Sequence, residues 1–343
     1  MQGKDDAMSW TEMDGTQEQT RRAFVRDAAL SAAGALAAGY PSVTSAAAGS
    51  ADGSPSKAGF QERYVSRPGG RLYVRDYPGG GPPFVMLHGF PDNCRIYEEL
   101  APLLSAAGRR VIAFDFLGFG LSDKPSGFLY SFEQQLTDLK AIVDDLGGPV
   151  IPVAHDAGGP AGINFALDHP QSVSSICLLN CYYASSPALR FPELIELCSD
   201  PALKKLALAI MTDPKQAEWL LRFQQSLFEE GAPAELRARF ESILQPIINE
   251  NFVRAPGSGP AFLSMANDAR ANLEYNNRRT AALREFRAPV QLIWGIYDPY
   301  LTRAVADDMA SRFSRATLKV LNANHWLQID VPNLVAKAML ELA

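Results

Sequence analysis

The chain has 343 residues, 47% hydrophobic and 20% charged, which suits a globular domain with a large core and excludes collagenous, disordered and small disulfide-framework classes. Lys and Arg number 32 against 38 Asp and Glu, a formal charge of -6 with no long basic run, so nothing in the charge pattern suits a nucleic acid. No stretch is dense enough in large apolar side chains for a membrane span.

Near the N-terminus, Thr20-Arg21-Arg22-Ala23-Phe24-Val25-Arg26 precedes a weakly hydrophobic stretch, Ala28 to Tyr40, and the small-residue run Ala46-Ala47-Ala48. The order of these parts resembles a bacterial twin-arginine signal, which implies cleavage near Ala48 and a periplasmic or secreted protein. Read alone, the segment also fits a helix cap or a disordered tail. Residues 49–58 read as a Gly/Ser/Pro linker. Beyond it, Gln61 to Ser66 and Arg71 to Tyr77 predict a hairpin across Pro68-Gly69-Gly70. Compact apolar runs of buried-strand type follow at Phe84 to His88, Val111 to Phe116, Val150 to Ala154 and Val173 to Leu179. They alternate with helical patterns at Ile96 to Ala106, Phe132 to Leu146 and Gly159 to Asp168, which argues an α/β sheet.

From residue 185 to 279 the pattern is helical throughout: Phe191 to Cys198, Pro201 to Met211, Lys215 to Glu229, Ala234 to Gln245 and Gly257 to Leu273. The expected organisation is therefore a core over 59–184 and 280–343, interrupted by a helical cap that carries substrate contacts. Alternation resumes with strands at Val290 to Trp294 and Thr317 to Leu321 and helices at Ala304 to Phe313 and Asn333 to Leu342. Cys177 and Cys181 sit on one predicted strand, roughly 13 Å apart at 3.3 Å per residue, too far to bridge. A Cys94–Cys198 pairing stays open.

Polar residues gather at the ends of these strands: His88-Gly89-Phe90-Pro91, the run Asp115 to Pro125, Val153-Ala154-His155-Asp156-Ala157-Gly158-Gly159, then Trp294-Gly295-Ile296-Tyr297-Asp298 and Asn324-His325. A nucleophile elbow, an acid and a histidine in that order, with a helical insert after the elbow, resemble the α/β-hydrolase family from about Gln61 to Ala343. The resemblance implies a mostly parallel eight-stranded sheet with flanking helices. Ala154 stands where the elbow usually has its first glycine. The elbow presents Asp156 where esterases have Ser, and a carboxylate can displace a leaving group from saturated carbon to form an alkyl-enzyme ester. His325 would then activate water against that ester, Asp298 would orient the imidazole, and the N–H groups of Phe90 and Ala157 would receive the oxyanion. Taken singly, Asp156 reads as a helix N-cap, His325 as a core histidine and Asp298 as a helix start; the elbow context gives them their joint meaning. Asp115 reads as a brace for the turn near Gly118.

An Asp elbow resembles haloalkane dehalogenases, epoxide hydrolases and haloacetate dehalogenases. The Gly-x-Gly-x-Ser-Asp-Lys-Pro run at Gly118 to Pro125 looks most like the first group, and His88 to Pro91 more like the other two. Dehalogenation is placed slightly ahead of epoxide opening, on a small apolar substrate, with water as co-reactant and no cofactor. No His/Cys ligand spacing suggests a metal. The leaving-group donors depart from all three groups. Ala157 replaces the usual halide-gripping Trp, leaving Trp219 for a halide, and Tyr275, Tyr182 and Tyr183 for an epoxide oxygen. With those donors incomplete, a ligand-binding protein on the same fold is the alternative from another class.

Overall fold

The computed structural model describes residues 59–342, so the expected export signal over 1–48 and linker over 49–58 lie outside the described residues. The strands are β1 (Gln61–Arg67), β2 (Gly70–Tyr77), β3 (Gly80–Leu87), β4 (Arg109–Phe114), β5 (Ile151–Asp156), β6 (Ile176–Cys181), β7 (Val290–Gly295) and β8 (Ala316–Leu321). They form one sheet in the order β1-β2-β4-β3-β5-β6-β7-β8. The pairs β1–β2 and β2–β4 are antiparallel and all others parallel.

The strand order positions the site. After β3 the chain moves outward to β4, then returns to place β5 on the other side of β3. Connections leaving the carboxyl ends of β3 and β5 therefore diverge and leave a crevice above them. His88 to Phe90 follow β3 directly, and Asp156 ends β5.

Side chains alternate across the sheet: Phe84 and Met86 of β3 enter one apolar layer, Val85 and Leu87 the other. Both faces are covered, which explains why these strands read as continuous apolar runs. Each fully buried Phe, Leu or Val there contributes roughly 1.5–3 kcal/mol. Cys94 and Cys198 lie in opposite layers. All four cysteines are buried and free, so the bridge left open by the sequence is not made.

The helix Phe132–Leu146 has its expected span because both ends are chemically marked. The Ser131 side chain accepts from the Gln134 N–H, and Gly147 takes φ 71° beyond the last turn. The helix expected to stop at Gln245 instead continues. Ala234–Arg239 runs through a wide turn, Phe240–Leu244, into Gln245–Val253. There the Gln245 N–H bonds to Phe240 O, five residues back, and this widening accommodates the ring of Pro246 and its missing donor. Between β6 and β7 the chain is helix and turn from Glu193–Ser199 to Thr280–Glu285. No helix among the described residues is long and apolar enough to cross a membrane.

Candidate active site

Asp156 closes β5 with φ 48°, a conformation uncommon for a residue with a side chain. It does not cap the following helix, Gly159–Asp168, whose capping position is Gly158. The sharp turn requires small neighbours. A Cβ on Gly89 would lie 2.4 Å from Asp156 Oδ2, and one on Gly162 would lie 3.1 Å from the methyl of Ala154, which tolerates alanine at the elbow only because its partner is glycine. The Phe90 N–H donates to Asp156 Oδ2 at 3.0 Å. Oδ1 accepts no hydrogen bond among the described residues and lies 3.9 Å from His325 Nε2, beyond hydrogen-bond reach.

His325 and Asp298 follow β8 and β7, so the parallel sheet delivers both to the edge that holds Asp156. His325 Nδ1 stands 2.6 Å from Asp298 Oδ2. Its main chain is fixed on both sides: the N–H donates to Asn324 Oδ1 at 2.8 Å, and the carbonyl is paired with His155 Nε2 at 3.0 Å. Asp298 Oδ1 accepts from the N–H groups of Tyr300 and Leu301, each at 2.9 Å. The Asn180 amide donates to Asp298 Oδ2 at 2.8 Å and accepts from the Gly295 N–H at 2.7 Å, tying the end of β6 to that of β7.

Burial opposes charge on both partners, yet their mutual attraction wins. Asp298 is held below the usual carboxylate range by His325 and its hydrogen bonds. His325 is lifted to about 9, chiefly by Asp298 and further by the charges of Asp156 and Asp92. Relative to an ordinary 6.5, this raised value stabilises the fold fully below pH 6.5, and the contribution disappears as pH rises through 9. The unfolding free-energy advantage of wild type over His325→Gln should therefore shrink between pH 7 and 9.5, by about 2 kcal/mol. A calorimetric difference constant over that window would show that the imidazolium does not contribute.

The crevice opens into an apolar pocket with an empty volume of about 810 Å³, open space at its mouth included. Asp156, Ala157, Phe90 and His325 line it, together with apolar cap side chains such as Leu221, Phe228 and Phe262. Of the four leaving-group candidates, only Tyr182 lines this pocket. Its hydroxyl has no hydrogen-bond partner among the described residues, and burial with the charges of Asp156 and Asp268 holds it protonated. Tyr183 instead donates to Asn164 Oδ1 at 2.9 Å and is not at the pocket. Trp219 is 64% exposed and stacks on Phe223, away from the pocket. Tyr275 is 43% exposed, where its ring faces Arg278 and Arg279.

The remaining motif residues brace the site. Asp115 accepts from the N–H groups of Cys94 and Leu121, each at 2.7 Å, fixing the turn through Gly118. His88 is fully buried, which lowers its pKa; neutral, it donates from Nδ1 to Gly89 O and accepts the Phe116 N–H at Nε2. Sequence reasoning missed Asn180, Tyr300, Gln224 and Gln225. The last two were readable: Ala217, Leu220, Leu221, Gln224, Gln225 and Phe228 form one helical stripe, whereas Trp219 and Phe223 fall off it. Among the described residues no group of three or more His, Cys, Asp or Glu could hold a metal ion.

The profile of the alpha/beta hydrolase fold family matches residues 82–332. A curated relative, haloalkane dehalogenase 2 of Mycobacterium bovis, is 26% identical over 285 residues, covering 82% of this chain and 94% of that protein. Epoxide hydrolase 3 of Xenopus tropicalis is 27% identical, covering 77% of this chain and 72% of its own. Among solved structures, a thermophilic esterase from Thermogutta terrifontis superposes with a TM-score of 0.64 at 19% identity, over 82% of this chain and 97% of that one. That likeness concerns the fold, which is the same eight-stranded sheet with flanking helices. With most of its length matched by the family profile, the chain belongs to the alpha/beta hydrolase fold family and is a hydrolase by that kinship.

Proposed function

We propose that this hydrolase uses Asp156 as a nucleophile toward saturated carbon, forming an alkyl-enzyme ester that His325 and water then cleave. One observation carries the reading: an elbow carboxylate with Oδ2 held by the Phe90 N–H and Oδ1 free, lining an apolar pocket with His325 alongside. Oδ1 forms the new bond to carbon, and the pair of electrons from the broken bond leaves with the departing atom. Oδ2 becomes the ester carbonyl oxygen. When water adds to Cγ of Asp156, its proton passes to His325 Nε2, and the oxyanion on Oδ2 keeps the Phe90 N–H, with the Ala157 N–H as second donor. Esterification also removes one of the negative charges that raise His325, which shifts the imidazole toward the free base that the second step needs, although Asp298 continues to hold its proton.

The leaving atom is best read as oxygen, which makes epoxide opening the favoured activity over the dehalogenation favoured by the sequence motifs. Tyr182 offers an unpaired, protonated hydroxyl that can give its proton to an opening ring. No indole N–H is free to grip a halide among the described residues lining the pocket: Trp326 donates to Asp92 Oδ2 at 3.0 Å. Trp294 donates to Leu301 O at 2.6 Å, and Trp219 lies outside the pocket. Dehalogenation keeps support from the kinship with haloalkane dehalogenase 2 and from the Gly118 to Pro125 motif.

Tyr182→Phe should lower diol formation from styrene oxide about 10²-fold or more, the usual contribution of a positioned acid. Trp219→Phe and Tyr275→Phe should stay within about twofold of wild type, since exposed side chains outside a site contribute little. Full diol formation by Tyr182→Phe, or bromide release from 1-bromohexane without any epoxide turnover, would remove the oxygen-leaving-group reading. Export by the twin-arginine route is likewise proposed from Arg21 and Arg22.

A further inference from the structure

Almost every donor that lines the pocket is already committed. Gln224 Nε2 donates to Tyr300 Oη at 2.8 Å, and the Tyr300 hydroxyl is bonded to Glu193. Trp326 Nε1 serves Asp92, and His325 Nδ1 faces Asp298. Arg190 lies over the Tyr300 ring and pairs with Glu193. Two donors remain. One is the Tyr182 hydroxyl; the other is the amide of Gln225, a pocket residue only 5% exposed.

Gln225 Oε1 accepts from Gln245 Nε2 at 3.0 Å, which fixes the amide plane, while Gln225 Nε2 is buried with no acceptor. Of the buried, unpartnered side-chain atoms among the described residues, this is the one that belongs to a pocket-lining residue. A buried N–H group without a partner is rare in a folded protein and calls for a reason. The adjacent Gln224 has all its hydrogen bonds made, its Oε1 accepting the Leu194 N–H at 2.8 Å, so loose packing of this helix is not the reason. The stripe that carries Gln225 is otherwise apolar or satisfied.

Resting on the Asp156-ester reading, the geometry points to Gln225 as the second leaving-group donor, its Nε2 meeting the departing atom of the substrate together with the Tyr182 hydroxyl. An amide N–H cannot give up its proton near neutral pH, so the roles divide. As the ring C–O bond breaks and its electron pair moves to oxygen, Tyr182 supplies the proton and Gln225 supplies a fixed dipole. The same pair would receive a halide without proton transfer. The expected substrate is therefore an apolar molecule with one hydrogen-bond-accepting leaving atom on saturated carbon. The sequence departs from its resembling families at Ala157, and Gln225 fills that gap from the cap.

The test follows ester formation alone, in His325→Ala protein, by intact mass with styrene oxide and 1-bromohexane as probes. Gln225→Glu keeps the shape and the oxygen that faces Gln245 but turns the free donor into an acceptor. Gln225→Met keeps the volume and removes both. Each, combined with His325→Ala, should form the Asp156 adduct at least about tenfold more slowly than His325→Ala alone, the glutamate variant being the slower. Circular dichroism and melting establish folding, and if the methionine variant does not fold the glutamate variant carries the test. An undiminished rate in either folded variant overturns the role of Gln225 and leaves the ester reading standing. No adduct with either probe in the parent His325→Ala protein overturns both.

Discussion

Asp156→Asn should abolish turnover, by more than about 10⁴-fold, while the protein keeps its melting temperature within a few degrees. The amide retains the volume of the carboxylate, and its oxygen can still accept the Phe90 N–H that now binds Oδ2 at 3.0 Å. What it loses is the electron density needed to attack carbon. The strained φ of 48° is unaffected, because asparagine tolerates positive φ as readily as aspartate. A companion measurement identifies the bond that water attacks: one wild-type turnover in ¹⁸O-water should place the label in the Asp156 carboxylate, since water adds at Cγ and Oδ1, the oxygen bonded to the substrate carbon, leaves with the product. Full activity of Asp156→Asn, with deamidation excluded by mass, would sink the nucleophile assignment. Label found only in product would mean direct attack by water. Loss of turnover with unchanged ligand affinity would also separate an enzyme from a hydrolase-fold binding protein, for which the carboxylate would have no chemical task.

The parts of this molecule that were legible in its sequence are those whose meaning is local. Val153 to Gly159 announces a strand breaking sharply into a helix, and the residue at the break is the one with positive φ. Ser131 and Gly147 mark their helix at both ends. Asp298 and His325 lie shortly past apolar strands, and a parallel sheet gathers such positions at one edge whatever the intervening chain does. The donors were hidden because they depend on which face a cap helix turns inward. Trp219 drew notice as a rare residue type, but its neighbours Leu220 and Leu221 are buried and it is not. Asn180 carries no charge to mark it in a strand end of apolar residues, and its contribution is an amide that bridges Asp298 and Gly295. The helix expected over Ala234 to Gln245 runs on to Val253, because a wider turn can carry a helix across Pro246.

His325→Ala should separate the two chemical steps. Attack by Asp156 on carbon needs no base, and the imidazole is 3.9 Å from the carboxylate, too far to hold it in place. Ester formation should therefore continue at near wild-type rate. Cleavage of the ester requires water to lose a proton to His325 Nε2, and without that acceptor it should slow by about 10²–10⁴-fold. The expected readout is a burst of one product equivalent's worth of substrate consumed, followed by a stable adduct. Its mass identifies the leaving atom: an epoxide adds its whole mass, because the opened oxygen stays attached and takes a proton, whereas a bromoalkane adds its mass less that of hydrogen bromide. Peptide mapping should place the adduct on Asp156, and the four cysteines are buried and poor rivals for it. An adduct on Ser122 or a cysteine would end the Asp-nucleophile scheme. Asp298→Asn should behave as a milder form of the same defect, since burial would then act on His325 without the charge that now offsets it, and the ester should build up to a partial steady level. If instead His325→Ala slows the burst itself as much as it slows turnover, the histidine acts in the first step, and the division of labour between the elbow carboxylate and the imidazole is wrong.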